Sequence, residues 1–211
     1  MSTLDDLKQS VIDGNANQAK TLVQQAMTES LPPEQILNTG LISAMAEVGR
    51  LFECGEYYVP EMLVSARAMK MGLELLRPSL AAANVQAIGK VVVGTVQGDL
   101  HDIGKNLVAI MLEGAGFSVI DLGVDVPPQK FVQAVKEHQP QLVGFSALLT
   151  TTMGKMKDNI QALQEAGLRD QVKVMIGGAP VTEKFATDIG ADMFARDASA
   201  AATRAKAAIA Q

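Results

Sequence analysis

Tryptophan is absent from this sequence, tyrosine occurs twice and phenylalanine six times, so aromatic residues supply 4% of a chain that is 48% hydrophobic. A core of packed rings is excluded, and Ala, Val, Leu, Ile and 11 Met must fill it instead. Cysteine occurs once. That excludes an internal disulfide and a multi-cysteine metal cage, fits a reducing compartment, and leaves Cys54 to be read as a small buried residue. Positive charge is also short: 18 Lys and Arg stand against 23 Asp and Glu, for a net charge of −5. Without a basic stripe, nucleic acid is not an expected partner. The opening MSTLDDLKQS has no basic region followed by an apolar one, and no apolar run approaches the roughly 20 residues needed to cross a bilayer. The expectation is a soluble, cytoplasmic protein without a membrane partner. Its 211 residues suit one large domain or two small ones.

What is present divides into two halves. From Thr3 to about Ala83 apolar residues recur at three- and four-residue spacing, as in Ile36, Leu37, Leu41, Ala44, Met45, Val48, Leu51 and Phe52. This is the pattern of amphipathic helices, predicted at about 3–13, 16–29, 33–54 and 60–80. Pro33 and Pro60 stand where helix starts accept proline, Gly14 and Gly55 where helix ends favour glycine. Short connections make residues 1–83 a four-helix bundle. Over 84–211, strands predicted at about 90–96, 117–122, 142–146, 172–176 and 192–194 alternate with helices at about 103–114, 128–138, 153–166, 181–189 and 198–209. Apolar strands in this alternation predict an α/β domain of flavodoxin-like or Rossmann-like class, a five-stranded parallel sheet of order 2-1-3-4-5. Ligands of such sheets sit at the carboxyl ends of the strands, which singles out the loops QGDLHDIG, SALLTTTM and GGAPVT.

The first of these loops holds His101, one of two histidines. A phosphate site at this strand–helix corner would want G-x-G-x-x-G or G-x-x-x-x-G-K-[ST], and neither is present. HDIGK also contains HDIG, the tetrapeptide that names a superfamily of metal-dependent phosphohydrolases, but no histidine precedes it and the residues before it form a strand. A third reading gives one imidazole nitrogen to a metal while a carboxylate, here Asp99, holds the other. One protein donor does not hold a transition metal firmly, so the metal would arrive inside a macrocycle. A histidine satisfied by local hydrogen bonds is the plain alternative. His138, near a helix end, reads as a surface residue.

Taken together, Asp99-Leu100-His101-Asp102-Ile103-Gly104, Ser146-Ala147-Leu148 and Gly177-Gly178 follow strands 1, 3 and 4 in order. They resemble the D-x-H-x-x-G, S-x-L and G-G signature of cobalamin-binding proteins of the methionine synthase and corrinoid methyltransferase type. MAEVGRLFECGEYYVPEMLVSARAM resembles the helical cap of the same proteins. The resemblance implies cobalamin or a related corrinoid bound base-off and His-on, with His101 as lower ligand of cobalt. Asp99 would hold the far ring nitrogen, and Thr152, where methionine synthases carry serine, would bond Asp99. Ser146, Leu148 and Thr150 would line the slot for the displaced nucleotide tail, Gly177 and Gly178 would let it approach the backbone, and Gly98, Asp102, Gly104 and Ala198 would touch the cofactor. Phe52 and Val59 match the two apolar cap residues on the upper face. Asn38 falls where methionine synthase has a glutamate, and Tyr57 and Tyr58 are expected to rim the cap.

By the same resemblance the chain is a methyl carrier, the corrinoid subunit of a methyltransferase system with no catalytic residues of its own, its cobalt alternating between Co(I) and methyl-Co(III). Implied partners are a substrate-specific methyltransferase for a methylamine, methanol or a methoxylated aromatic, a second methyltransferase acting on tetrahydrofolate or coenzyme M, and an ATP-dependent corrinoid reactivase. LRPSLAAANVQAIGK is the expected hinge. The alternative is a cobalamin-dependent sensor module, for which no DNA-binding helix pair or basic patch is visible. A mutase cobalamin subunit would lack the cap.

Overall fold

A computed structural model of the chain describes residues 2–210, so the outer ends of the two expected domains, residues 1 and 211, lie outside the described residues. The chain forms two compact units: one runs to Ala87 and includes Gly114–Gly116, the other comprises Ile88–Glu113 and the residues from Phe117 onward.

The helical unit contains α1 (Thr3–Ile12), α2 (Ala16–Thr28), a third rod and α5 (Val59–Ala82). In the third rod α3 (Pro33–Gln35), a π-helical segment (Ile36–Ile42) and α4 (Ser43–Glu53) follow without a break. α1 starts in a capping box: the Ser2 hydroxyl accepts the Asp5 N–H while the Asp5 carboxylate accepts that of Ser2. Asn15 caps α2. Leu7, Val11, Val23, Ile36, Leu41, Met45, Met62 and Leu76 are buried at the helical spacing read from the sequence. Gly40 lies within the π segment, where a Cβ would come 2.5 Å from Leu7 Cδ2, so glycine here permits the close approach of α1.

Two expectations are corrected. Cys54 is exposed, because the buried stripe of α4 ends at Leu51 and Cys54 is the capping residue beyond the last turn. α5 runs to Ala82 through Pro78, which costs the helix its bond to the Glu74 carbonyl, so the first part of the expected hinge is helical. The connection expected over 76–90 therefore shrinks to residues 83–89.

The second unit alternates β1 (Lys90–Thr95), α6 (Ile103–Gly114), β2 (Ser118–Asp121), α7 (Pro128–His138), β3 (Leu142–Ser146), α8 (Gly154–Glu165), β4 (Lys173–Gly177), α9 (Glu183–Ile189), β5 (Met193–Ala195) and α10 (Ala198–Ile209). The strands are all parallel, in the order β2-β1-β3-β4-β5. The two faces are packed differently. On one, Val92, Val143, Phe145, Val174 and Ile176 meet Phe131, Met156 and Leu163. There Phe131 and Phe145 stand edge to face at 4.8 Å and 78°, worth about 0.5–1.5 kcal/mol beyond burial. The other face has a small cluster of Met175, Ala195 and Ala201, with Val108 and Met193 partly buried beside it. Thr95, Ser146, Gly177 and Ala195 are in register across its carboxyl edge, so four small residues form one row. α10 buries Ala198, Ser199, Ala201, Ala202 and Ala205, while Leu107, Val108 and Ile110 of α6 stay only half-buried.

Candidate cofactor-binding site

After β1 the chain turns at Gly98, whose φ of +83° suits glycine, and delivers Asp99 and His101 before α6 begins. The Asp99 side chain is fully buried. Its Oδ1 accepts the His101 backbone N–H at 3.0 Å and lies 2.7 Å from His101 Nδ1. Its Oδ2 accepts the N–H groups of Leu148 and Leu149 at 2.8 and 3.3 Å and the Thr152 hydroxyl at 2.7 Å. One carboxylate thus joins the β1–α6 loop to the β3–α8 loop. Burial pushes the Asp99 carboxyl up, but hydrogen bonds from the His101 N–H, the His101 ring, the Leu148 N–H and the Thr152 hydroxyl outweigh it and hold the group well below the usual carboxylate range. An ionised Asp99 draws the imidazole proton to Nδ1 and leaves the Nε2 lone pair for an outside group. The His101 side chain is 50% exposed.

The backbone around His101 is braced as well. The Thr95 hydroxyl donates to the His101 carbonyl at 2.9 Å. Asp125, with φ +51°, accepts the Gly98 N–H at 2.7 Å and donates its own N–H to the Asp99 carbonyl at 3.0 Å. Lys105, buried in the first turn of α6, pairs with Asp121 at the end of β2 at 2.5 Å. The loop motifs do not announce any of these four residues. The available signal was weak: a lysine in the first turn of a helix, where a cation opposes the helix dipole.

The other expected residues separate into groups. Gly178 has φ +134° and its Cβ would lie 1.9 Å from the Ala147 carbonyl oxygen, while a Cβ on Gly177 would meet Ala195 O at 3.0 Å. Backbone packing alone requires Gly178 and leaves little room for a side chain at Gly177. Gly104 faces open space, and only Thr152 Cγ2, at 3.7 Å, would meet a Cβ on Gly98. Asp102 is exposed and accepts from Asn106 Nδ2 at 3.1 Å. Ser146 lies in the row of small residues, Leu148 and Thr150 are exposed beyond it, and Ala198 is buried at the start of α10.

Phe52, Val59 and Asn38 belong to the helical unit, the first two half-buried and the last exposed on the π segment. Tyr57 is anchored inside that unit, its hydroxyl donating to the Ile12 carbonyl at 3.1 Å, whereas Tyr58 is exposed. His138 ends α7, with Nε2 3.9 Å from the Glu137 carboxylate.

This arrangement fits a corrinoid. Leu100 and Ile103, on either side of His101, are 72% and 75% exposed, and Val124, Leu148 and Leu149 are exposed on neighbouring loops. Apolar side chains gathered in the open around a held imidazole suit a flat macrocycle. Among the described residues no group of three or more His, Cys, Asp or Glu could hold a metal ion, so His101 suits a metal whose other ligands the macrocycle brings.

A parallel sheet with a carboxylate-held histidine at its carboxyl edge is the arrangement a B12-binding protein needs. Families described as B12 binding domain match residues 3–77 and 89–205, and the chain belongs to them as a corrinoid protein. It is 44% identical to dimethylamine corrinoid protein 3 of Methanosarcina acetivorans over 203 residues, 96% of this chain and 95% of that one. It is similar in structure to one chain of the methanol:cobalamin methyltransferase complex MtaBC of Methanosarcina barkeri, with TM-score 0.89 and 30% identity over 99% of this chain and 80% of that one. It also resembles a cobalamin-binding protein of Desulfitobacterium hafniense DCB-2, with TM-score 0.82 and 33% identity over 97% and 98% of the two chains. Among the described residues no helix is long and apolar enough to cross a membrane.

Proposed function

We propose that the chain is a corrinoid methyl carrier, charged by a substrate-specific methyltransferase and discharged by a second methyltransferase acting on tetrahydrofolate or coenzyme M. The observation that carries this reading is the Asp99–His101 pair, a half-exposed imidazole held at Nδ1 by a buried carboxylate. The relative named for dimethylamine and the similar complex named for methanol support a methylamine or methanol as donor, with a methoxylated aromatic as the remaining choice. Bound at this site, a corrinoid supplies a cobalt that takes up and releases a methyl group.

The chain's own residues bind and orient. His101 Nε2 would be the protein's donor to the metal, Asp99 keeps the proton on Nδ1, and Thr152 with the Leu148 N–H keeps Asp99 ionised. Ser146, Leu148, Thr150 and Gly177, with Thr95, Ala195 and Ala198 beside them, would hold the nucleotide tail, and Gly98, Asp102, Gly104 and Gly178 would contact the cofactor. Residues 1–83 are assigned as the cap, with Phe52 and Val59 as its candidate cofactor residues, and 84–211 as the cofactor-binding domain. An ATP-dependent reactivase and a cytoplasmic setting complete the reading; an unpaired Cys54 suits a reducing compartment.

The test mixes cobalamin-loaded protein, first reduced to Co(I) with a chemical reductant under anaerobic conditions, with a dimethylamine or methanol methyltransferase and a donor carrying a labelled methyl group. Label on the protein, passed on when the second methyltransferase and its acceptor are added, is the expected result. Retained cobalamin that no donor and methyltransferase pair can label contradicts the carrier role.

A further inference from the structure

We infer, on the corrinoid reading above, that Lys105 is a positioning residue for His101, acting through the first turn of α6. Among the described residues it is the one cationic side chain that is buried, and it stands in an unfavourable place. A cation in the first turn opposes the helix dipole, and burying it costs desolvation. Both costs are offset by two bonds of Nζ, one to Asp121 Oδ2 at 2.5 Å and one to Asn106 Oδ1 at 2.7 Å.

Each partner leads onward. The other oxygen of Asp121 accepts the Gly123 N–H at 2.8 Å, and Asn106 Nδ2 donates to Asp102 Oδ2 at 3.1 Å. The resulting chain, Gly123, Asp121, Lys105, Asn106 and Asp102, runs from the loop after β2 to the residue next to His101. Asp99 and Thr95 hold His101 on its sheet side, but residues 102–104 are exposed, so the start of α6 needs a separate anchor. Lys105 supplies it. Fixing where α6 begins fixes the direction in which Nε2 is presented, and a ligand swung away from the metal binds less tightly even when its own hydrogen bonds survive.

Two variants test this against a merely structural ion pair. Lys105→Met with Asp121→Leu removes both charges, which spares the fold an unpaired buried ion. Asn106→Ala cuts the same chain with the ion pair left in place. Each is measured as apo-protein for thermal unfolding, as an aquacobalamin binder by titration, and in the Co(II) state by electron paramagnetic resonance on 15N-labelled protein, where a doublet marks a protein nitrogen on cobalt and a triplet the unlabelled base. For the double variant the expected result is near-wild-type unfolding, aquacobalamin affinity weaker by about tenfold or more, and a reduced doublet. Asn106→Ala is expected to move affinity and doublet the same way by a smaller factor, and it decides the matter if the double variant does not fold. Wild-type affinity and a full doublet in the folded variants would overturn the role of Lys105 and leave the corrinoid reading intact. A wild-type protein that takes up no aquacobalamin overturns both.

Discussion

Replacing Asp99 by asparagine should uncouple the two loops that build the site. The carboxylate gives one oxygen to each: Oδ1 to His101, Oδ2 to Leu148, Leu149 and Thr152. An amide keeps one acceptor and turns N–H donors toward the other loop, so whichever way it lies, donors face donors. Two charge-assisted bonds at about 1.5–3 kcal/mol each are lost, and relief from burying a carboxylate returns part of this, for a net destabilisation of about 2–4 kcal/mol. Urea unfolding of the apo-protein near pH 7 reads this as a lower midpoint at unchanged slope. The acid side gives an independent check. The folded-state carboxyl of Asp99 lies below its ordinary value, so the stability it contributes is complete above the unfolded value of about 4 and is lost as pH falls through that value toward the folded one. Asparagine does not titrate, so the gap between the two proteins should narrow on acidification. A variant within about 0.5 kcal/mol of wild type near pH 7, or a gap that stays constant from about pH 6 to 3, would refute the reasoning.

Thr152→Val should destabilise the apo-protein by about 1–2 kcal/mol by withdrawing a donor from Asp99, while Thr152→Ser should stay near wild type; equal losses in urea unfolding would contradict the hydroxyl's role. Gly178→Ala should cost about 3 kcal/mol or abolish folding, because its Cβ would strike the Ala147 carbonyl, whereas Gly104→Ala, in open space, should leave apo stability within about 0.5 kcal/mol and be felt only in corrinoid affinity. Asn159 is buried in α8 with neither end of its amide hydrogen-bonded, so Asn159→Leu should raise stability by about 1–3 kcal/mol; a loss measured by thermal unfolding would show that the amide is needed.

The α/β half was legible because its strands are short apolar runs closed by turn residues, and alternation with helices leaves few topologies for a parallel sheet. Pro33, Pro60, Gly14 and Gly55 marked helix ends for the reasons they do so generally: a fixed φ at the start, a positive φ at the close. The π segment was not legible, since ILNTGLI keeps its apolar spacing whether or not the turn is widened. The exposure of Cys54 depended on where the stripe of α4 ends. At the site, the contact of Asp99 with His101 follows from two residues on one tight loop. Lys105 and Asp121 are 16 residues apart on different elements, and only the tertiary fold brings them together. The row of Thr95, Ser146, Gly177 and Ala195 depends on strand register, which four small residues do not reveal one at a time.

The central claim is that His101 is the protein's ligand to the corrinoid metal. It is tested most directly by electron paramagnetic resonance of 15N-labelled wild-type protein loaded with unlabelled cobalamin in the Co(II) state, beside His101→Ala. The account predicts a doublet from one protein nitrogen that disappears in the variant. A triplet from the cofactor's own base in wild type, or a doublet that survives in His101→Ala, would contradict it.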